Sequence, residues 1–300
     1  MAKEKATSNG RLQVAKTYKL YIGGKFPRTE SGRTYSPTHG GKPIANMCLA
    51  SRKDVRNSIV AARAAQPGWA ARSAYNRCQI LYRIGEILEG RSGQFMSELQ
   101  QMGMTEKQAQ SEVETSIDRL VYFAGWCDKY QQVFSSVNPV ASSHFNFSVL
   151  EPMGVVFVVA SEEQPLLGLV SLIAPVIASG NTCVVLASNS RPLSAITLAE
   201  VMSTSDVPGG VVNILTGELD ELVEHFSRHL DVNAVAFDRD LPDVAEQIMK
   251  ASAGNLKRVK TYGLDWKSEQ AESPWLIQDF CEVKTTWHPI EKISESGSGY

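Results

Sequence analysis

The chain has 300 residues, 43% of them hydrophobic and 21% charged, which is enough apolar material for one large core or two modest ones and excludes global disorder. Its 30 basic and 32 acidic residues leave a formal net charge of -2, which excludes a broad electrostatic pull towards nucleic acid or anionic membranes. No apolar run has the length of a membrane span, the basic N-terminus precedes no signal core, and five scattered cysteines (Cys48, Cys78, Cys127, Cys183, Cys281) form no paired spacing; reduced thiols and a cytoplasmic location are expected.

Taken in order, residues 1–15 read as a loose arm. Short alternating runs at Leu20 to Ile22 and Thr34 to Ser36, broken by Gly23-Gly24 and Ser31-Gly32, predict small strands joined by tight turns. Ser51 is a candidate cap for a helix carrying Val55, Ile59 and Val60, with Pro67 and Trp69 marking its end. Cys78, Leu81, Ile84, Ile87 and Leu88 recur at three and four residues, predicting a helix over Ser73 to Glu89 with one buried stripe. A further helix is expected from Glu112 to Tyr130. From His144 to Val149, Phe145, Phe147 and Val149 alternate with His144, Asn146 and Ser148, the period of a strand with one buried face.

The texture then becomes α/β. Strands are expected at Val155 to Ala160, Thr182 to Leu186, Val211 to Leu215 and Ala234 to Phe237, with helices at Pro165 to Ala178, Leu193 to Met202, Glu218 to His229 and Val244 to Ala253. That alternation predicts a parallel sheet with helices on both faces. Residues 268–280 read as a polar linker, Glu282 to Trp287 as a last strand, and residues 291–300 as a flexible tail.

The run EPMGVVFVVASEEQPLLGLVSLIAPVIASGNTCVVLASNS, followed by SAITLAEVM, VPGGVVNILTG, DVNAVAF and NLKRV, resembles the cofactor domain of aldehyde dehydrogenases. KLYIGGKF, AARAAQPGWA, the helix around Leu81 to Leu88, YFAGWCDKY and the closing EVKTTWHPI extend the resemblance to nearly the whole chain. It implies an α/β, Rossmann-like cofactor domain with a β-strand oligomerisation element and with the catalytic domain missing. The ending TTWHPI looks like that of the shortened second copy, without a nucleophile, in large fused members of the family.

The family's reactive positions, carried over one by one, hold the wrong residue types. The Pro-Trp-Asn-Phe-Pro segment that supplies an oxyanion amide corresponds to Ser161, Glu162, Glu163, Gln164 and Pro165, which puts a carboxylate at Glu163 where a donor is needed. The Lys-Pro-Ala-Glu that holds the ribose corresponds to Ala187, Ser188, Asn189 and Ser190. Gly217 stands after the third strand, and the Phe-Thr-Gly-Ser segment beneath the pyrophosphate corresponds to Phe237, Asp238, Arg239 and Asp240, two aspartates where a diphosphate would meet repulsion. No carboxylate matches the general base, the nearest being Asp265, and Cys183 reads as a buried structural thiol. Cys281 sits beside Glu282 in the linker region. His225 and His229, four apart, lack a third metal ligand, and Lys250, Lys257, Arg258 and Lys260 read as a solvated helix end.

The expected organisation is a flexible arm (1–15), the N-terminal part of a cofactor-type domain (16–136), an oligomerisation hairpin (137–150), a Rossmann-like part (151–267), a linker (268–280), a C-terminal oligomerisation strand (281–290) and a tail (291–300). Neither a catalytic residue, a metal nor a bound cofactor is expected, the cofactor positions Glu163, Ala187, Ser190, Gly217, Asp238 and Asp240 being degenerate. Phe145, Phe147, Val149, Val283, Thr285 and Trp287 are the expected interface residues. The expected function is that of an inactive aldehyde dehydrogenase-like subunit that assembles with a full-length active aldehyde dehydrogenase or with itself, without nucleic acid or membrane. The alternatives are an NAD(P)-dependent oxidoreductase component with residual NAD binding and an active site shared across an interface, or a ligand-binding module whose vacated pocket is lined by Glu162, Glu163, Asp238 and Arg239.

Overall fold

The computed structural model describes residues 16–290; the expected arm and tail lie outside them. The chain opens with short strands β1 (Thr17–Tyr18), β2 (Thr34–Tyr35), β3 (Thr38–His39), β4 (Lys42–Pro43) and β5 (Asn46–Cys48). Helix α1 (Arg52–Ala70) begins at a capping box in which Ser51 and Asp54 satisfy each other's backbone amides. Pro67, expected to end this helix, lies inside it, in the last turn, where its missing N–H removes only one ladder bond.

Helices α2 (Ala74–Gly90), α3 (Ser92–Gln101) and α4 (Glu106–Trp126) follow, then the short α5 (Tyr130–Phe134). Helix α4 starts six residues before the expected Glu112, because Thr105 and Gln108 form a second capping box ahead of a polar first turn. Helix α3 was not anticipated; its buried positions Phe95, Glu98 and Leu99 make too narrow a stripe to stand out.

The centre is a five-stranded parallel sheet of β8 (Val155–Val159), β9 (Thr182–Leu186), β10 (Val212–Leu215), β11 (Ala234–Phe237) and β12 (Arg258–Thr261), in the order β10-β9-β8-β11-β12. Helices α6 (Leu167–Ala178), α7 (Leu193–Ser203), α8 (Leu219–Ser227) and α9 (Pro242–Ser252) connect the strands. Alternate side chains feed separate cores: Val156, Val158, Cys183 and Val185 pack with residues of α2, α4, α6 and α7, while Val155, Phe157, Val184 and Leu186 pack with residues of α1 and α8. This is the doubly wound α/β arrangement expected. The outer edge of β10 is covered by Tyr21, whose N–H donates to Ile214 O at 2.9 Å and whose carbonyl accepts from Ile214 N at 2.8 Å.

Strand β12 was not anticipated, since its residues read as a solvated basic group. Lys257 is instead buried, the Arg258 guanidinium donates to Asp279 O (3.0 Å) and Cys281 O (2.7 Å), and Lys260 pairs with Asp279 at 2.6 Å. The basic residues tie the sheet edge to the stretch expected as a linker. That stretch is packed: helix α10 (Trp275–Gln278) and its neighbours bury Ala271, Leu276, Ile277 and Phe280.

Helix α6 is buried along its whole length, so its unpaired end groups require protein partners. Glu112 of α4 supplies them at the N-terminus, where Leu166 N and Leu167 N donate to Oε1 at 2.9 and 3.3 Å. At the C-terminus the Trp69 indole donates to Ile177 O and Arg77 Nε to Ala178 O, both at 2.9 Å. The acid stands at the positive end of the helix dipole and the base at the negative end.

Strand β6 (Ser136–Asn138), β7 (His144–Pro152) and β13 (Cys281–Pro289) form a separate antiparallel sheet, in the order β13-β7-β6. Along β7 the burial does not follow the alternation: Phe147, Ser148 and Val149 are all half-buried, and near the strand's start the polar residue is the covered one. Phe145 is 45% exposed, whereas Asn146 is 3% exposed and accepts a bond from Asn138 Nδ2 at 2.6 Å. A polar ladder of Asn138, Asn146, Ser148 and Thr285 lies on one face, and on the other Phe145 lies against the Phe147 ring, with centroids 5.5 Å apart, and stays half exposed among the described residues.

Candidate functional site

In a doubly wound sheet, ligands bind beyond the carboxyl ends of the strands, near the point where strand order reverses. Here a cleft of about 1070 Å³ opens there, lined by residues 161–164 after β8, 237–242 after β11 and 261–265 after β12, with α9 contributing Ala245, Glu246 and Met249.

Glu162 is the centre of the polar wall. Its Oε2 accepts from Ser188 Oγ (2.6 Å), Ser190 Oγ (2.7 Å) and Ser190 N (3.1 Å), and its Oε1 accepts from Asn189 N (2.9 Å) and pairs with Arg239 Nη2 (2.8 Å). Burial raises its pKa, but Arg239 and the Ser188, Asn189 and Ser190 donors outweigh that, and the carboxyl sits below its usual range. Arg239 is nearly enclosed. It also donates to Ala160 O (3.0 Å) and Ala187 O (3.1 Å), so one guanidinium joins the ends of β8, β9 and β11.

The degenerate positions expected from the sequence divide between this network and the surface. Ser190 and Ala187 belong to it, Ala187 through its carbonyl. Glu163 is exposed and contributes its backbone carbonyl to Arg191 at 3.2 Å, while its neighbour Glu162 holds the polar network; both line the cleft. Gly217 packs so tightly that a Cβ there would lie 3.1 Å from Ala50 N. Asp240 is exposed, and neither it nor Asp238 caps α9, whose first residue is Pro242 and whose first-turn acid is Asp243.

Asp238 is buried and accepts from Trp266 Nε1 at 2.6 Å. Burial pushes its carboxyl up to about 6, against the Trp266 bond and the Arg239 charge, which pull it down. Gln164 completes this wall, donating to Asp265 Oδ1 (2.8 Å) and accepting from Trp266 N (3.0 Å). Asp265 is held below the usual carboxylate range by the Gln164 bond and by a second one from Lys267 N at 3.0 Å, which leaves it a poor proton acceptor.

The cysteines offer no nucleophile in the cleft. Cys183 is fully buried in β9, where burial raises its thiol far above the usual value. Cys281 is not in a linker but is the first residue of β13, buried and pushed up to about 12 chiefly by burial, with its Sγ 3.2 Å from Ile277 O. His225 lies on α8 and His229 beyond its end, and no group of three metal-ligating side chains occurs among the described residues. None of the described helices is long and apolar enough to cross a membrane.

A nicotinamide dinucleotide, the cofactor the resemblance implies, does not fit this donor set. The hydroxyls and amides after β9 are saturated by the fixed carboxylate of Glu162, and the cation that would meet a phosphate, Arg239, is already paired with it. Sequence reading named Glu162 only as one residue of a lining; its central place follows from three separate segments meeting, which no local pattern records.

The expected interface residues fall on two faces of the β13-β7-β6 sheet. Register pairs Thr285 with Ser148 and Trp287 with Asn146, so Val283, Thr285 and Trp287 share the polar-ladder face, whereas Phe145, Phe147 and Val149 lie on the opposite one. Trp287, Val283 and Val137 are all largely exposed.

Residues 26–262 match the aldehyde dehydrogenase family. The chain is 34% identical over 292 residues to cytosolic 10-formyltetrahydrofolate dehydrogenase of Mus musculus, covering 93% of this chain and 31% of that protein. It is 29% identical over 281 residues to the mitochondrial 10-formyltetrahydrofolate dehydrogenase of Homo sapiens, covering 91% and 30%. Among solved structures, PnpE from Pseudomonas sp. WBC-3 superposes with a TM-score of 0.78 at 29% identity, covering 82% of this chain and 50% of that one. The NAD+ complex of an aldehyde dehydrogenase from Bacillus cereus gives the same score and coverage at 24% identity, a likeness of fold alone. The chain thus spans between 30% and 50% of the length of these relatives, and it belongs to the aldehyde dehydrogenase family.

Proposed function

We propose that this chain is a catalytically inactive aldehyde dehydrogenase-like subunit that assembles with a full-length, active member of the family and acts there as a structural or regulatory partner. The observation that carries the reading is the β13-β7-β6 sheet, which holds apolar side chains out to solvent on both faces and leaves an outer edge on β13 and on β6. Exposed edges and apolar faces of this kind are normally avoided in monomers and used for pairing between chains. The cleft supports the same reading from the other side, because its cation and hydroxyls are engaged with Glu162 and no activated thiol faces it.

The test is light scattering on the purified chain, alone and mixed with full-length aldehyde dehydrogenases of its host, together with an NAD-reduction assay on an aldehyde panel. The expected outcome is a stable mixed or self-assembled oligomer and no turnover by this chain alone. A monomer under every mixing condition, or turnover by the isolated chain, would overturn the proposal.

A further inference from the structure

Six of the residues lining the cleft are acids (Glu162, Glu163, Asp238, Asp240, Glu246 and Asp265) and one, Arg239, is a base. Two of the six are neutralised locally, Glu162 by Arg239 at 2.8 Å and Glu246 by Lys250 at 2.5 Å. The other four have no basic side chain within ion-pair distance among the described residues. Arg191 and Lys267 touch this group through backbone atoms and not as ion pairs, at Glu163 O (3.2 Å) and from Lys267 N to Asp265 (3.0 Å). A concave wall with such an excess of one sign concentrates ions of the other. The anionic dinucleotide of the family is repelled there, and a cation is drawn in.

A second observation comes from below the exposed acids. Asp238 is only 6% exposed and yet lines the cleft. Its Oδ2 accepts from the Trp266 indole, while its Oδ1 meets no donor among the described residues. At pH 7.5 the group is ionised, since burial pushes it up only to about 6. A buried charge is stable when a counter-charge or a full set of donors meets it, and here one indole does so while the adjacent Arg239 is engaged with Glu162. An ammonium group brings both the charge and up to three donors.

The lining also decides what kind of cation fits. Leu241, Ala245, Met249 and the Tyr262 ring share the cleft with these acids. A bare metal ion leaves such surfaces in water, and no group of three metal-ligating side chains occurs among the described residues. Methylene chains cover them, and an aromatic face attracts ammonium groups.

We propose that the cleft binds a small aliphatic amine carrying two or more ammonium groups. One ammonium sits on Asp238, the others lie among Glu163, Asp240 and Asp265, and the methylenes run against Leu241, Met249 and Tyr262. The cleft's volume of about 1070 Å³ is at the upper end for small-molecule sites and accommodates such a chain. The inference does not rest on the assembly proposal, because the isolated chain supplies every group named.

The test titrates the full chain calorimetrically at pH 7.5 with spermidine, 1,4-diaminobutane and butylamine, the ionic strength being held constant with sodium chloride. Spermidine and the diamine are expected to bind at least tenfold more tightly than butylamine. Asp238→Asn separates binding from folding, because the two respond with opposite signs: spermidine is expected to bind at least tenfold more weakly while the variant melts no lower than the native chain. The double variant Glu163→Gln with Asp240→Asn, both at exposed positions, is expected to weaken spermidine at least threefold and butylamine far less. Glu114→Gln, which changes an exposed acid of α4 outside the cleft, is expected to leave all three affinities unchanged. Four results would each overturn the proposal: no binding of spermidine by the native chain at 1 mM, equal affinity for spermidine and butylamine, undiminished affinity in the cleft variants, or an equal loss in Glu114→Gln.

Discussion

The indole N–H of Trp266 donates to the Asp238 carboxylate at 2.6 Å, and both side chains are almost fully buried. Burial dominates the acid's behaviour, pushing it up to about 6 in spite of the indole and Arg239. Between the ordinary carboxylate range and about pH 6 the folded chain therefore keeps a proton that the unfolded chain has released, so stability falls as pH rises through that window and is level above it. Asp238→Asn keeps an acceptor for Trp266 and removes the charge. We expect it to stabilise the fold by about 1–2 kcal/mol at pH 7.5 and by much less at pH 4.5. Urea unfolding at the two values checks this, and equal differences at both would refute it.

Glu112 is the sole side-chain partner recorded for Leu166 N and Leu167 N among the described residues. Replacing it with Ala strands two amides at the head of a buried helix and removes an anion from the positive end of its dipole. The expected loss is about 2–4 kcal/mol, with Glu112→Gln losing less. Chemical denaturation of both variants measures it; a loss below half a kcal/mol in Glu112→Ala would show that α6 does not need this cap.

Gly168 lies where the segment after β8 crosses the Trp266 ring. A Cβ there would come within 3.0 Å of Ser161 Cβ and 3.2 Å of Trp266 Cδ1. Alanine favours a helix by up to about 1 kcal/mol, but overpacking of this kind costs about 1–3 kcal/mol. We expect Gly168→Ala to lower the melting temperature and to shift Trp266 fluorescence to the red; a more stable variant with an unmoved spectrum would contradict the crowding.

Because Trp287 and Phe145 occupy opposite faces of one small sheet, they can be altered independently. Trp287→Asp and Phe145→Asp are each expected to leave the melting temperature within a few degrees of the native value, since both residues are about half exposed. If one face makes the contact between subunits, only its variant will dissociate the assembly by light scattering. Full retention of the assembly in both variants would remove these faces from the interface.

Much of the central sheet was legible because buried parallel strands are continuous apolar runs: Val155 to Ala160, Thr182 to Leu186 and Ala234 to Phe237 need no tertiary information to be read. Strand β12 was hidden because Arg258 and Lys260 spend their charge on Asp279 and neighbouring carbonyls, partners brought near only by folding. The packed segment 268–280 was hidden by its polar flanks, which mask the short apolar run from Trp275 to Ile277. Which face of β7 is covered was not legible, because period alone states that two faces differ, not which one is buried. In the cleft the altered residue types were visible at Glu163, Asp238 and Ala187, but the donor convergence on Glu162 was not, since Ser188 and Ser190 are ordinary strand-end residues until Arg239 closes the ring around them.

The pairing of β13 with β7 has a kinetic side. Cys281 lies opposite Pro152, so one edge of β7 waits for a strand made more than a hundred residues later. At synthesis rates of about 5–20 residues per second, that edge stays uncapped for roughly 6 to 26 seconds on the ribosome. β6, made just before β7, can shield only the other side. During that interval any strand of compatible register can take the place of β13, so the order of translation, as much as the finished surface, sets when this chain is open to a second polypeptide.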